Sequence, residues 1–372
     1  MIALILAAVL GFTSVIIGVS YARKYLLLSG IYGIDQQKKG KPRLPTSGGI
    51  VVLFGFILSI TFYMGVSSVT GGVVDKALMF AGLSSINIIA LIGLLDDIHI
   101  DLESLVSEHT DEEVEISLLE EVKTPHMKVF ENITGDFVDS STSEEHRTGL
   151  GQIPKMLFVL PAALPLIAVG AGSWTMVVPV LGFTVDWGLF YPLFIIPVML
   201  LFVSNVVNML AGTNGLSTGM SAVVATALGV FAYLNSETEA MVFGILLAST
   251  LWAFYIHNRY PASILPGDSL TYLAGAALFT TAVIGDIEKF AVFIFIPYFL
   301  EFLLKLRSRF TAHSWGILQE DASLKPQHDK NYSLTHPLMR RGLKEKQITQ
   351  TLMLTEAVIC LIGLVLFQTV LS

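Results

Sequence analysis

The chain has 372 residues, 53% of them hydrophobic and only 14% charged. A soluble globular domain carries roughly 25% charged residues, so that class is excluded. One cysteine, Cys360, excludes an internal disulfide framework and a thiolate metal cluster. The net charge of −8 is local: residues 101–145 hold 14 Asp/Glu and two Lys, and the rest of the chain is net +4.

Along the chain, ten apolar runs stand near the ~20 residues that span a bilayer. They lie at 2–21, 48–64, 77–95, 156–172, 189–207, 216–234, 240–256, 269–284, 290–304 and 348–371. The first lacks a basic start and a small-residue cleavage site, so it reads as a span and not a cleaved leader. Twenty of the 22 Lys/Arg fall in alternate connections, with only Lys76 and Lys289 on the other side. The positive-inside rule makes the crowded face cytoplasmic, and ten spans then place both termini outside. The expected fold is an all-α polytopic membrane protein, one integral-membrane domain over 1–372 with an acidic insertion at 101–147. The outer connection "WTMVVPVLGFTVDWG", 174–188, has β-branched residues on both sides of Leu181-Gly182, which suggests a small hairpin.

Four polar clusters share the basic face, each at the end of an apolar run. They are "DQQKKGKPRLPTSGG" at 35–49, Asp96-Asp97 with Lys155, "NVVNMLAGTNGLSTG" at 205–219, and "HNRYPASILPGDS" at 257–269. Singly, each reads as caps and topology signals. Together they supply what one kind of site needs. Asp96, Asp97, Asp268 and Asn208 are hard oxygen ligands suited to Mg²⁺ or Mn²⁺ and not to zinc. Glycine-rich turns at helix starts offer N–H groups to phosphate, and a lysine adds a point charge. Magnesium, phosphate and a membrane face indicate phosphoryl transfer between a nucleotide and a lipid.

"LPTSGG", "LLDD", "NMLAGTNGL" and "PGDS" together resemble the polyprenyl-phosphate N-acetylhexosamine-1-phosphate transferases, over nearly the whole chain except about 101–147. "NMLAGTNGLSTG" and "YIHNRYPASILPGD" look like the dolichol-linked GlcNAc branch, and the acidity of 101–147, which suits a salty cytoplasm, points to an archaeal-type member. The resemblance implies ten helices, a cytoplasmic groove open to lipid, and UDP-GlcNAc and dolichyl phosphate as substrates. It implies Asn208 and Asp268 as ligands of a Mg²⁺ cofactor (Mn²⁺ the substitute) and Asp96 and Asp97 as the family's paired aspartates. Lys155 matches the lysine on the diphosphate, and Gly212 and Asn214 match positions that hold uridine. The first cluster places Gln36 and Lys38 among the substrate-binding candidates. Leu265 stands where eukaryotic members put an aromatic ring against uracil, and Thr46 replaces a glutamate, as in the bacterial branch.

In the last connection of the basic face, His336 sits where the bacterial members carry a His-rich motif. His313, Lys325 and His328 are secondary candidates. Glu301 and Glu356 fall inside apolar runs, where carboxylates are functional suspects. A homodimer is a candidate assembly. Two other readings stand beside the main one. One is transfer of another UDP-sugar phosphate, such as phospho-MurNAc-pentapeptide, to undecaprenyl phosphate. The other is a transporter with broken helices, which would place its polar groups at the midplane and not at one face.

Overall fold

The computed structural model describes residues 1–98, 100–101, 138–139, 147–150, 159–177 and 183–369. Most of the acidic segment 101–147, and Lys155, lie outside the described residues.

The chain opens with α1 (Ile2–Leu28), an antiparallel pair β1 (Tyr32–Ile34) and β2 (Arg43–Pro45), α2 (Gly49–Val69) and α3 (Lys76–Asp97). A small sheet follows, β3 (Ile100–Asp101), β4 (Val138–Asp139) and β5 (Arg147–Leu150), in the order β3-β5-β4. A 3-10 turn at Leu160–Ala163 leads into the short α4 (Leu164–Ala168). Next come the hairpin β6 (Thr175–Val177) and β7 (Thr184–Asp186), then a π turn at Tyr191–Ile195 that runs into α5 (Ile196–Met209). The remaining helices are α6 (Leu216–Leu234), α7 (Thr238–Asn258), α8 (Gly267–Ile284), α9 (Glu288–Ile294), α10 (Ile296–Arg307), α11 (Thr335–Arg340) and α12 (Glu345–Thr369). A second hairpin, β8 (Gly316–Leu318) and β9 (Leu324–Pro326), lies between α10 and α11.

Among the described residues, eight helices are long and apolar enough to cross a membrane, which makes the chain a multi-pass membrane protein. Two of the ten expected runs are not among the eight. The run at 156–172 is described only from Val159, as two short turns interrupted by Pro161 and Pro165. The run at 290–304 is broken at Phe295 into α9 and α10, where Pro297 has no N–H to continue the ladder. The first helix runs seven residues past the expected 2–21, because nothing breaks it before Ser29-Gly30. At 1.5 Å per residue its 27 residues reach about 40 Å, beyond the ~30 Å of hydrocarbon. The two arms of the expected hairpin pair antiparallel, with Met176 opposite Val185, and Leu181-Gly182 lies outside the described residues.

α8 is the centre of the bundle and packs on α2, α3, α5, α6 and α7. Every residue from Ser269 to Ile284 is buried. Small residues permit that: a Cβ on Gly275 would stand 2.6 Å from Ser204 Cα of α5. At the start of α8, a Cβ on Gly93 would meet the Asp268 carbonyl oxygen at 2.5 Å, and one on Gly49 would meet Leu270 N at 2.3 Å. The end of α3 and the beginning of α2 are thus wedged against the first turn of α8.

Candidate functional site

The first turn of α8 sets the geometry. Helix starts leave backbone N–H groups unpaired. Here a carboxylate from another helix takes two of them: Asp268 N donates to Asp97 Oδ1 at 2.7 Å and Ser269 N to Asp97 Oδ2 at 3.1 Å. A negative charge at a helix N-terminus is also favoured by the helix dipole. Gly267 just before has φ +68°, and a Cβ there would stand 2.3 Å from Asp97 Oδ2, so glycine is required on both counts. Asp97 is buried, and its place as the last residue of α3 aims it inward.

Asp268, held this way, faces the end of α5. Asn208 Nδ2 donates to Asp268 Oδ2 at 3.2 Å, and Thr271 Oγ1 donates to Asn208 Oδ1 at 3.1 Å. The chain then turns through Ala211 to Gly215 before α6. Gln37 Nε2 donates to the Gly212 carbonyl at 2.5 Å, and a Cβ on Gly212 would stand 2.6 Å from the Ser314 carbonyl oxygen. Asn214 Oδ1 accepts from Ala262 N at 3.1 Å. Asn258 bridges the same two segments, accepting from Thr218 Oγ1 at 2.8 Å and donating to the Ile264 carbonyl at 2.9 Å. Leu265 N donates to the Pro45 carbonyl at 2.8 Å, which ties the "PGDS" motif to β2.

These segments enclose a cavity of about 560 Å³, within the range of small-molecule sites. Nine of the residues singled out in the sequence line it: Gln36, Thr46, Asp97, Asn208, Gly212, Asn214, Leu265, Asp268 and His313. Asp96 is half-buried at the end of α3 and is not among the lining residues. Lys38 is also outside the lining. Its ammonium pairs with Asp35 at 3.3 Å and with Glu345, and lies 4.6 Å from the Tyr260 ring centroid. His336 is fully buried behind the cavity wall. Its Nδ1 accepts from Tyr332 N at 3.2 Å, so Nε2 carries the proton and donates to the His313 carbonyl at 2.9 Å. Burial holds the His336 imidazole below its usual range, which keeps that neutral tautomer.

The wall that His336 supports carries His313 and Trp315, and both line the cavity with ring centroids 5.1 Å apart. Burial, then the charge of Lys305, lowers His313 as well. Gln37, Thr271 and Trp315 were not singled out in the sequence. A signal for Trp315 was available: of four tryptophans, it alone stands in a basic-face connection outside an apolar run. The loop bearing it hangs on Glu301, which is fully buried in α10. Glu301 accepts from Ser314 Oγ at 3.3 Å, Ser333 Oγ at 3.1 Å and Leu334 N at 2.8 Å. This carboxylate inside an apolar helix is therefore an anchor for the loop.

The lining contains Asp35, Asp97 and Asp268 and, among the described residues, no lysine or arginine. Among those residues no group of three or more His, Cys, Asp or Glu is placed to hold a metal. Asp268 still brings a carboxylate to the cavity beside Asn208, whose amide donates to it and would offer its own oxygen if the amide plane turned over. That fits Mg²⁺, which keeps several waters and is bound through one or two carboxylates plus substrate phosphates.

Residues 133–286 match glycosyl transferase family 4. A Sulfolobus acidocaldarius protein is 28% identical over 374 residues, covering 100% of this chain and 98% of that protein. It is provisionally named UDP-N-acetylglucosamine–dolichyl-phosphate N-acetylglucosaminephosphotransferase. The Dictyostelium discoideum protein of the same name is 28% identical over 188 residues, 42% of this chain and 46% of its own. A phospho-N-acetylmuramoyl-pentapeptide-transferase of Limosilactobacillus fermentum is 39% identical over 118 residues, 32% of this chain and 37% of its own.

Proposed function

We propose that this chain, which carries a glycosyl transferase family 4 domain, transfers N-acetylglucosamine 1-phosphate from UDP-GlcNAc to dolichyl phosphate or a related polyprenyl phosphate. The products are dolichyl-diphospho-GlcNAc and UMP, the opening step of lipid-linked oligosaccharide assembly for protein N-glycosylation. One observation carries the reading: segments from four distant parts of the chain put Gln36, Asp97, Asn208, Gly212, Asn214, Leu265 and Asp268 around a single cavity. The relative aligned end to end is named for these two substrates.

Uridine is placed against Gly212, Asn214 and Leu265, and the diphosphate toward Asn208 and Asp268. The lipid phosphate oxygen attacks the β-phosphorus. A new P–O bond forms as the bond from that phosphorus to the bridging oxygen breaks, and UMP leaves with the bridging oxygen. A phosphate monoester has its second pKa near 6, so at neutral pH the lipid phosphate is largely the dianion already. Asp97, with both oxygens engaged by backbone N–H groups, then serves by holding α8 and with it Asp268. Asn208 and Asp268 would hold Mg²⁺ or Mn²⁺, which offsets charge on the diphosphate. The acidic lining makes such an offset necessary, and Lys155, outside the described residues, is proposed as a second positive charge. The basic face is proposed as cytoplasmic.

The test is UMP release by purified protein in detergent or bilayers. UDP-GlcNAc and UDP-MurNAc-pentapeptide would each be paired with dolichyl and undecaprenyl phosphate, with and without EDTA. UMP release with UDP-GlcNAc and dolichyl phosphate that EDTA abolishes is expected. Release confined to UDP-MurNAc-pentapeptide with undecaprenyl phosphate would move the chain to the alternative reading. No release from any pair would overturn the transferase reading.

A further inference from the structure

Glu345 opens α12 and is only 3% exposed. Glu345 Oε1 accepts from the backbone N–H of Asn214 at 2.8 Å. Four residues on, on the same helical face, Thr349 Oγ1 donates to the Asn214 carbonyl at 3.1 Å and meets Thr213 Oγ1 at 2.8 Å. The last helix thus grips both the N–H and the C=O of Asn214, a residue that lines the cavity. The other Glu345 oxygen holds Lys38, whose ammonium also faces Asp35 and the Tyr260 ring. Next to Lys38, Gln37 donates to the Gly212 carbonyl. One carboxylate therefore closes a ring through the β1–β2 connection, the 212–214 turn and α12.

We infer that Glu345 is a positioning residue: with Thr349 it fixes the 213–214 turn and the 35–38 segment in the shape that receives the nucleotide. This rests on the nucleotide reading of the cavity. A glutamate at a helix start would favour the helix dipole wherever it pointed, and such a role would leave nucleotide affinity unchanged. The grip on Asn214 implies a different signature. Losing Glu345 weakens the nucleotide end of the site and spares the lipid end. Glu345→Gln keeps an acceptor for Asn214 N–H but no longer balances Lys38, so it lies between alanine and wild type. Thr349→Val leaves Lys38 paired and releases only the Asn214 carbonyl and Thr213.

The experiment measures UMP binding by calorimetry on the purified chain, together with KM for UDP-GlcNAc and for polyprenyl phosphate. A hydrogen bond to a charged group governs the size of the effect, so Glu345→Ala should weaken UMP binding and raise the UDP-GlcNAc KM about tenfold. The polyprenyl phosphate KM should stay within about twofold, and Glu345→Gln and Thr349→Val should each lose about threefold in UMP affinity. Glu345→Ala that inserts and binds UMP like wild type overturns the inference, as does a fall in kcat with both KM values unmoved. If Glu345→Ala does not fold, Glu345→Gln and Thr349→Val decide, and wild-type UMP affinity in both overturns it. Wild-type protein that binds no UMP overturns the nucleotide reading itself, and the positioning role with it.

Discussion

α8 and the two terminal helices differ in an instructive way. α8 is the least apolar of the eight spans and the most buried, whereas α1 is the most apolar and lies largely at the surface. α12 is likewise more apolar than α8 and the least buried of all. α8 buries Ser269, Thr271, Gly275, Thr280 and Thr281, while α12 exposes Leu354, Val358, Leu361, Ile362 and Val365. In water this order would be reversed. In lipid the surrounding tails are as apolar as leucine, so helices gain nothing by hiding leucine from them. Close approach and paired polar groups hold the interior instead, which is why the proposed phosphotransfer site can be built into the central helix and not onto the periphery.

The sharpest break of that comparison is Asp268→Ala at the base of α8 against Leu361→Ala on the outer face of α12. Asp268→Ala should insert normally and lose at least a hundredfold in UMP release, about 3 kcal/mol in the barrier. Leu361→Ala should stay within about twofold of wild type, since its side chain meets lipid either way. Comparable losses in the two would mean that the site depends on the periphery as much as on the centre.

Next in size is a pair of glycines. Gly275→Ala forces a Cβ to 2.6 Å from Ser204 Cα, and overpacking of this kind costs about 1–3 kcal/mol. Gly65→Ala in α2 meets nothing within 4 Å and exchanges glycine for a better helix former, a gain of about 1 kcal/mol or less. Thermal unfolding in one detergent should therefore move in opposite directions. A third test probes the cap: Asp97→Asn keeps one acceptor for the α8 N–H groups and should cost about 1 kcal/mol of stability, with UMP release falling alongside. Unchanged thermal stability with activity lost would instead give Asp97 a direct part in the chemistry.

The smallest effect concerns pH. Burial depresses the folded-state pKa of His336 and of His313. Below about 6.5 the unfolded chain takes up protons that the folded loop resists. The stabilisation is thus complete above pH 6.5 and is lost as pH falls through the depressed folded values. A thermal-shift series from pH 7.5 to 5 should show this decline, and His336→Gln should flatten part of it.

Much of the site was legible because its motifs are glycine-rich turns at the ends of apolar runs. Residue type and order survive folding there: Asn208, Gly212, Asn214, Leu265 and Asp268 all reach the cavity. What sequence could not supply was direction within a short ribbon. "DQQKK" offers five polar residues in a row, and only the fold decides that Asp35, Gln36 and Gln37 line the cavity while Lys38 turns to Glu345. The same holds for His336 and His313, which belong to one connection between spans, with one ring behind the wall and the other on it. The break at Phe295 was hidden for another reason: a single proline leaves a run apolar while dividing the helix.

Glu301 also bears on how the protein is made. Its partners Ser333 and Leu334 lie 32 and 33 residues further along the chain. At about 5–20 residues per second, a ribosome reaches them roughly two to seven seconds after it has added Glu301. During that interval the carboxylate has none of those partners, and hydrocarbon is a costly place for it. α10 therefore cannot settle fully until the loop that follows it has emerged and folded back. Assembly of this face of the bundle is a late event in synthesis, and a chain stalled shortly after Arg307 would leave Glu301 without Ser314, Ser333 and Leu334.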